Sequence, residues 1–239
     1  MNYETFRPVL EPEPSGAGKN RNKQEAGGEL VPSSPQEAAE TRNRLALPRD
    51  IDNLLALLRK PTHVLTSDES FASMVQRQET VNKFLLRGGA EALSNLFTRI
   101  KQIEEKETIK LDLSMLELSD KLLGGLYLPG VNAEKLVFSL SDISGSDIRA
   151  GNFTAAVATR AIMRGVIATG SDWTDAVIPR ADLSGGRFVG GTFVNTDMRG
   201  AIVDRDTNFV GAVFIGTYVG GVDLSIANTA GAVFKGIRR

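Results

Sequence analysis

Apolar residues recur along this chain in two rhythms. From Ile51 to Ile103 they follow the i, i+3, i+4, i+7 spacing of a helix face, and from Leu111 onward they fall every five residues. A period of five belongs neither to a helix at 3.6 nor to a strand at 2, so the chain changes architecture near residue 110.

In the first rhythm, Leu54, Leu55 and Leu58 predict a short helix from Ile51 to Leu58, ended ahead of Pro61. Thr66 and Glu69 have the spacing of a capping box before Phe71, Met74, Val75, Val81, Phe84 and Leu85, and Gly88-Gly89 stand where a helix would stop. A second stripe, Leu93, Leu96, Phe97, Ile100 and Ile103, runs up to the charged Glu104-Glu105-Lys106-Glu107. Residues 49–108 thus read as a helical segment with an αα-hairpin. Ahead of it, residues 1–48 hold six of the nine prolines with almost no apolar clusters. Such a segment cannot offset chain entropy by burial and reads as an extended or disordered arm that a partner or a neighbouring copy would hold.

The second rhythm occupies residues 109–239. Large apolar centres step by five from Phe138 through Ile143, Ile148, Phe153, Ala158, Met163, Ala168, Trp173, Ile178, Leu183, Phe188, Phe193, Met198 and Val203. One residue then slips in, and the phase resumes at Phe209, Phe214, Val219, Leu224, Thr229 and Phe234. Over the 19 units from Ile143, the position two before the centre is Ala, Ser, Thr or Gly in 17, the exceptions being Val166 and Val222. The position between is Asp or Asn in nine, and the position two after is Gly in eleven. Each unit therefore reads small-in, polar-out, large-in, then a two-residue corner. The expected core is Ile143, Ile148, Phe153, Met163, Trp173, Leu183, Phe188, Phe193, Met198, Phe209, Phe214, Leu224 and Phe234.

The units ADLSG (181–185), SDISG (141–145), TDMRG (196–200) and GNFTA (151–155) resemble the pentapeptide-repeat family, whose consensus is A(D/N)LXX. The resemblance covers about residues 111–234 and implies a mainly β fold, a right-handed quadrilateral β-helix with four units per coil. Twenty-five centres from Leu113 make about six coils, and at about 4.8 Å per coil the rod is on the order of 30 Å long. Leu111, Leu116, Leu126 and Leu136 put large residues where small ones recur later, which predicts wider or distorted first coils capped by the helical segment. Only Lys235 to Arg239 follow Phe234, so the last coil is expected to lie uncovered and to invite a partner.

Outward positions of such a column should be polar, so apolar ones there are candidates for protein binding. A 20-residue stacking interval lines up Val137, Val157 and Val177 on one face, with Tyr218 beyond Asp197. In the last coils Val189 stacks with Val210, and Val194 with Ile215, beside Val213 and Val233. The expected binding residues are Val189, Val194, Val210, Val213, Ile215, Tyr218 and Val233.

Catalytic and cofactor readings find little support. The single histidine, His63, lies in a connector with no nucleophile motif around it. SGAGKN (15–20) lacks the first Gly and the final Ser/Thr of a phosphate loop. The repeat aspartates are better placed to bond corner backbone groups than to gather round calcium, and Asn152, in the acceptor triplet NFT, reads as a repeat residue. The chain has no cysteine, so disulfides and thiolate metal sites are out. No enzyme, metal or cofactor is expected.

Lys+Arg (28) nearly balance Asp+Glu (29), so no overall field recruits nucleic acid or an anionic membrane. With no apolar leader and no run long enough to span a bilayer, the chain reads as soluble, cytoplasmic or within a large assembly. The leading expectation is a structural or scaffolding protein that binds its own copies or the subunits of an assembly such as a virion. Some members of the family resemble duplex DNA and bind type II topoisomerases. That alternative needs an acidic surface, whereas residues 111–239 carry 13 acidic and 12 basic side chains, with Arg149, Arg160, Arg164, Arg180, Arg187, Arg199 and Arg205 interrupting any phosphate-like track. A delivered bacterial effector is a third possibility.

Overall fold

The computed structural model describes residues 51–59, 72–84, 96, 99–100, 102 and 110–239. The arm over 1–48, His63, the Thr66 and Glu69 pair, Gly88-Gly89 and most of the second helical stripe lie outside the described residues.

Helix α1 spans 51–58 and helix α2 spans 72–84, with Leu96 and Ile100 in further helical turns. Ile51, Leu54, Leu55, Leu58, Val81, Phe84, Leu96 and Ile100 are buried against the first leucines of the repeat. The buried stripe of α2 differs from the apolar spacing in one place: Val75 is 41% exposed, and Arg77, one turn before Val81, is buried instead. Its guanidinium donates to the Asp112 carbonyl and lies 3.7 Å from the Asp112 carboxylate, so a charged hydrogen bond to the repeat outweighs the transfer of a valine. Next to it, the Gln78 side-chain amide donates to the Glu117 carbonyl (2.8 Å) and accepts from the Glu117 N–H (2.7 Å). The Asp112 N–H donates to the Leu58 carbonyl at 2.7 Å. These four bonds replace, on two sides of the first coil, the partners that a preceding coil would supply.

From Asp112 the backbone forms parallel bridges between positions 20 apart: Asp112 with Asn132, Asn132 with Asn152, Asn152 with Asp172. Four bridge positions occur per 20 residues, and a turn follows each. The four stacks are called here the first face (through Asn132), the second (through Val137), the third (through Asp142) and the fourth (through Asp147). Within a unit the centre's carbonyl accepts from the residue three ahead, as in Ala156 N–H to Phe153 (3.0 Å), and between coils Phe153 N–H donates to Asp172 (2.7 Å). The third turn residue has positive φ, the geometry of a type II turn, at 13 glycines and ten other residues. The register holds from the first coil, so the large residues at 111, 116, 126 and 136 do not distort it. They leave loose packing instead: an apolar cavity of about 60 Å³ lies between the helices and the first coil, and one of about 30 Å³ inside the early coils.

The inserted residue is absorbed in one corner. Bridges before it run at 20, as in Asp182 with Ile202, and across it at 21, as in Arg187 with Asn208. Elsewhere the third corner residue donates to a carbonyl of the next coil, as Gly165 does to Ser184. At Gly185 the acceptor is the Asp204 carboxylate (2.9 Å), which also takes the N–H of Asp206 (3.1 Å) and of Thr207 (2.9 Å). A side chain thus supplies the acceptor that the longer corner displaces.

Ile143, Ile148, Phe153, Met163, Trp173, Leu183, Phe188, Phe193, Met198, Phe209 and Phe214 are all at most 4% exposed. On the first face the rings stack from coil to coil: Phe153 on Trp173 (4.3 Å between centroids), Trp173 on Phe193 (6.5 Å), Phe193 on Phe214 (4.9 Å) and Phe214 on Phe234 (4.9 Å), all within 10° of parallel. Trp173 keeps its polar atom satisfied by donating to Ser171 Oγ at 2.7 Å. A side chain at Gly186 would meet the Phe188 ring at 2.5 Å and the Leu183 carbonyl at 2.9 Å, so that ring needs glycine beneath it. Two expected core residues depart from the rest. Phe234 is 44% exposed because its ring has Phe214 on one side and no described ring on the other. Leu224 is half-buried because its unit is a 3₁₀ turn, Leu224–Ile226, capped by Asp223, rather than an extended segment.

Trp173→Ala should lower unfolding free energy by about 3–5 kcal/mol, since the rings above and below cannot close the gap; a urea midpoint within error of the parent would show that the stack does not bear on stability. Asp204→Ala should lower the melting temperature clearly more than Asp206→Ala, because the 204 carboxylate alone spans both coils; equal effects would refute that role.

Candidate functional site

Outward residues of the column fall into two chemical kinds. Where the bridge residue is Asp or Asn, its side chain accepts the N–H two residues on: Ser144 to Asp142 (2.8 Å), Thr154 to Asn152 (3.0 Å), Thr174 to Asp172 (2.9 Å), Val210 to Asn208 (2.9 Å). This ties the corner to the side that precedes it and uses the lone pairs of the repeat's acidic residues locally. On the first face the same residues also bond each other, Asn132 Nδ2 to Asp112 (3.1 Å) and Asn152 Nδ2 to Asn132 (3.2 Å). Asn152, the formal glycosylation acceptor, is a rung of that ladder.

Higher on the first face the pattern changes. Thr192, Val213 and Val233 take the bridge positions, and Val194, Ile215 and Lys235 follow the centres. No side chain captures the turn N–H there, and β-branched residues favour extension. The bridges lengthen into three parallel strands, β1 (Thr192–Val194), β2 (Val213–Ile215) and β3 (Val233–Lys235). Val194 pairs with Ile215, and Val213 with Thr192 and Val233. Val189 and Val210 end the adjoining fourth face, in register through Gly190 N–H to the Val210 carbonyl (2.8 Å). Six of the seven expected residues therefore gather on the first face and its edge with the fourth. Ile215 (37%) and Val233 (50%) are exposed, and Val189, Val194, Val210 and Val213 are half-buried.

Tyr218 stands apart, on the second face. Its ring lies between two guanidinium groups, Arg199 at 5.9 Å and Arg238 at 4.8 Å, and Arg238 bonds its hydroxyl. It is held by its own chain. Exposed apolar residues outside the expected set include Leu122 (83%), Leu140 (56%), Ile202 (53%) and Ile162 (38%). Leu122, Ile162 and Ile202 share the third face, where Asp142 and Asp182 separate them. The 20-residue interval applied to every outward position would have found them.

Several ladder carboxylates are paired. Arg199 meets Asp197 through two bonds (2.9 and 2.7 Å), and Arg164 donates to Asp182 at 2.5 Å. The Arg199 guanidinium holds the Asp197 carboxyl below its ordinary range. At Asp182 and Asp147 partial burial pushes upward, but hydrogen bonds, to Ser184 and Arg164 in one case and to Arg149 in the other, outweigh it and leave both lowered.

Five residues per unit and 20 per coil, with bridges at every unit, decide what the repeat is. The column is a solenoid of five-residue units, four to a coil. No family model and no curated protein matches the chain. Among solved structures, it is similar to a pentapeptide repeat protein from the Arabidopsis thaliana thylakoid lumen at 22% identity and a TM-score of 0.27, covering 39% of this chain and 58% of that one. A trypsin-treated form of QnrB1, a plasmid-mediated fluoroquinolone resistance protein, matches at 17% and 0.25, covering 53% and 78%. HetL, a pentapeptide repeat protein involved in heterocyst differentiation regulation in the cyanobacterium Nostoc, matches at 14% and 0.22, covering 59% and 92%. Likenesses this remote carry no argument about what the solenoid does.

Because the folded carboxyls of Asp147, Asp182 and Asp197 are lowered, their contribution is complete above the unfolded value of about 3.9 and is lost as pH falls through the folded values. Urea midpoints should hold from pH 7 to about 5 and fall below about pH 4. Asp182→Asn with Asp197→Asn should flatten that fall; an unchanged profile would show that these pairs do not set acid stability.

Proposed function

We propose that this chain is a non-catalytic binding column, a right-handed four-sided coil that presents its outward faces to other proteins within a larger assembly, of which a virion is one kind. Residues 1–48 form a tethering arm, 49–108 close one end, and 109–239 form the column. The right-handed sense is what the resemblance to pentapeptide repeats implies.

The observation that carries the reading is the change along the first face. Asn132, Asn152 and Asp172 give way to Thr192, Val213 and Val233, and Thr154 and Thr174 to Val194 and Ile215. The ladder does not require this, since polar residues satisfy the same register in the lower coils. Contiguous outward valine and isoleucine exposes apolar surface that burial against a partner would stabilise. The partner is a protein, either another copy or an assembly subunit. A duplex-like role in topoisomerase binding is disfavoured, because Arg149, Arg164 and Arg199 neutralise the ladder carboxylates beside them. No described helix is long and apolar enough to cross a membrane.

Val194→Asp with Ile215→Asp should leave the circular-dichroism spectrum unchanged while lowering the mass measured by light scattering on the full chain, or abolishing co-assembly with its native partner. Retained association would remove this face from the interface, and loss of the β signal would mean that the two side chains serve the fold.

A further inference from the structure

The four corners of the coil share one backbone conformation but not one residue type. After the third face the positive-φ position is glycine at 125, 145, 165 and 185. After the second face it is Leu140 (φ 60), Arg160 (φ 58) and Arg180 (φ 57) in successive coils. A branched or bulky side chain in this left-handed region is strained where glycine is not. The strain brings no compensating bond: among the described residues the side chains of Leu140, Arg160 and Arg180 make no hydrogen bond or ion pair, whereas Arg149, Arg164 and Arg199 each sit on an aspartate. Leu140 is 56% exposed.

The three side chains stand in one row. Leu140 N–H donates to Thr159, Arg160 N–H to Pro179 and Arg180 N–H to Arg199, so each lies one coil above the last, at intervals of about 4.8 Å. Beside the row, bridges stack Val137, Val157 and Val177 along the same axis, and Val177 is 37% exposed. The second face therefore carries an apolar stripe with two cations and a leucine along one flank. Its upper end is occupied by the Asp197, Arg199 and Tyr218 cluster.

We propose that the second face between Val137 and Val177 is a docking track for an acidic amphipathic helix of a partner protein, whose apolar stripe lies on the valines and whose carboxylates meet Arg160 and Arg180. The helical pitch of about 5.4 Å stays nearly in step with the coil over this length, and a helix about 10 Å wide fits one face. A nucleic-acid duplex fits less well. Two arginines are far fewer than the roughly 6–10 phosphate contacts such complexes use, and a phosphate backbone gains nothing from the valines. This track is separate from the apolar first face, so either surface can fail alone.

The probe is a fluorescein-labelled helical peptide of about 18 residues, with leucine at i, i+3, i+4 and i+7 and glutamate on both flanks, titrated against the full chain by anisotropy. Binding should weaken with salt, and Arg160→Gly with Arg180→Gly should lower affinity about tenfold while the melting temperature stays equal or rises, because glycine relieves the corners. An unchanged affinity, equal binding of the peptide with lysine in place of glutamate, or a fall in melting temperature would overturn the proposal. Displacement of the peptide by a short DNA duplex or by vesicles of phosphatidylserine would also overturn it, reassigning the face to phosphate.

Discussion

The backbone ladder between coils is the constraint on which everything else in this molecule hangs. Each bridge residue donates its N–H to the coil before it and accepts an N–H from that same coil at its carbonyl, while the residues flanking it bond the coil after, so a coil of another length needs a substitute partner at the corner that absorbs it. Twenty residues per coil then places each side chain above the one 20 positions before it, and along much of the first and second faces like meets like. Phenylalanine meets tryptophan, asparagine meets asparagine, and valine meets valine. The ring stack, the amide ladder and the valine stripes are all consequences of that single register.

The same constraint explains how the column tolerates irregularity. At the first coil the missing neighbours are replaced by side chains from the helices: the Gln78 amide pairs with Glu117 as a strand would, and Arg77 takes the Asp112 carbonyl. At the insertion the Asp204 carboxylate stands in for a backbone carbonyl. In both places a polar side chain restores the ladder, as expected where unpaired backbone groups are expensive. Apolar volume is less strictly governed. The leucine-rich early coils keep their register while leaving cavities, because flexible aliphatic chains fill a narrow column less completely than flat rings do.

Function, on this view, is confined to positions that the ladder leaves free. Inward residues are set by volume, and where the bridge residue is aspartate or asparagine the corner N–H is captured. What varies is the outward residue of each unit and the side chain at each corner. The β-branched upper part of the first face and the strained Leu140, Arg160 and Arg180 row both depart from what the fold needs, and both lie on the surface where another protein would meet them.

Much of this was legible in the residues alone. The alternation of small and large positions, the phase slip after Val203, the inward set from Ile143 to Phe214 and the stacking of Val194 with Ile215 follow from a period of five and four units per turn, because a solenoid converts spacing in sequence directly into neighbours in space. Tertiary structure decided what periodicity cannot carry. It buried Arg77 in place of Val75, since a hydrogen bond to another segment has no local signal. It left Phe234 half open, since burial of a ring depends on what lies beyond it and not on its phase. It drew Tyr218 into a pair of guanidinium groups instead of the valine face. The sequence alone determined which side of the backbone each residue takes; only the packed coils decided which of the outward ones are already occupied by their own neighbours.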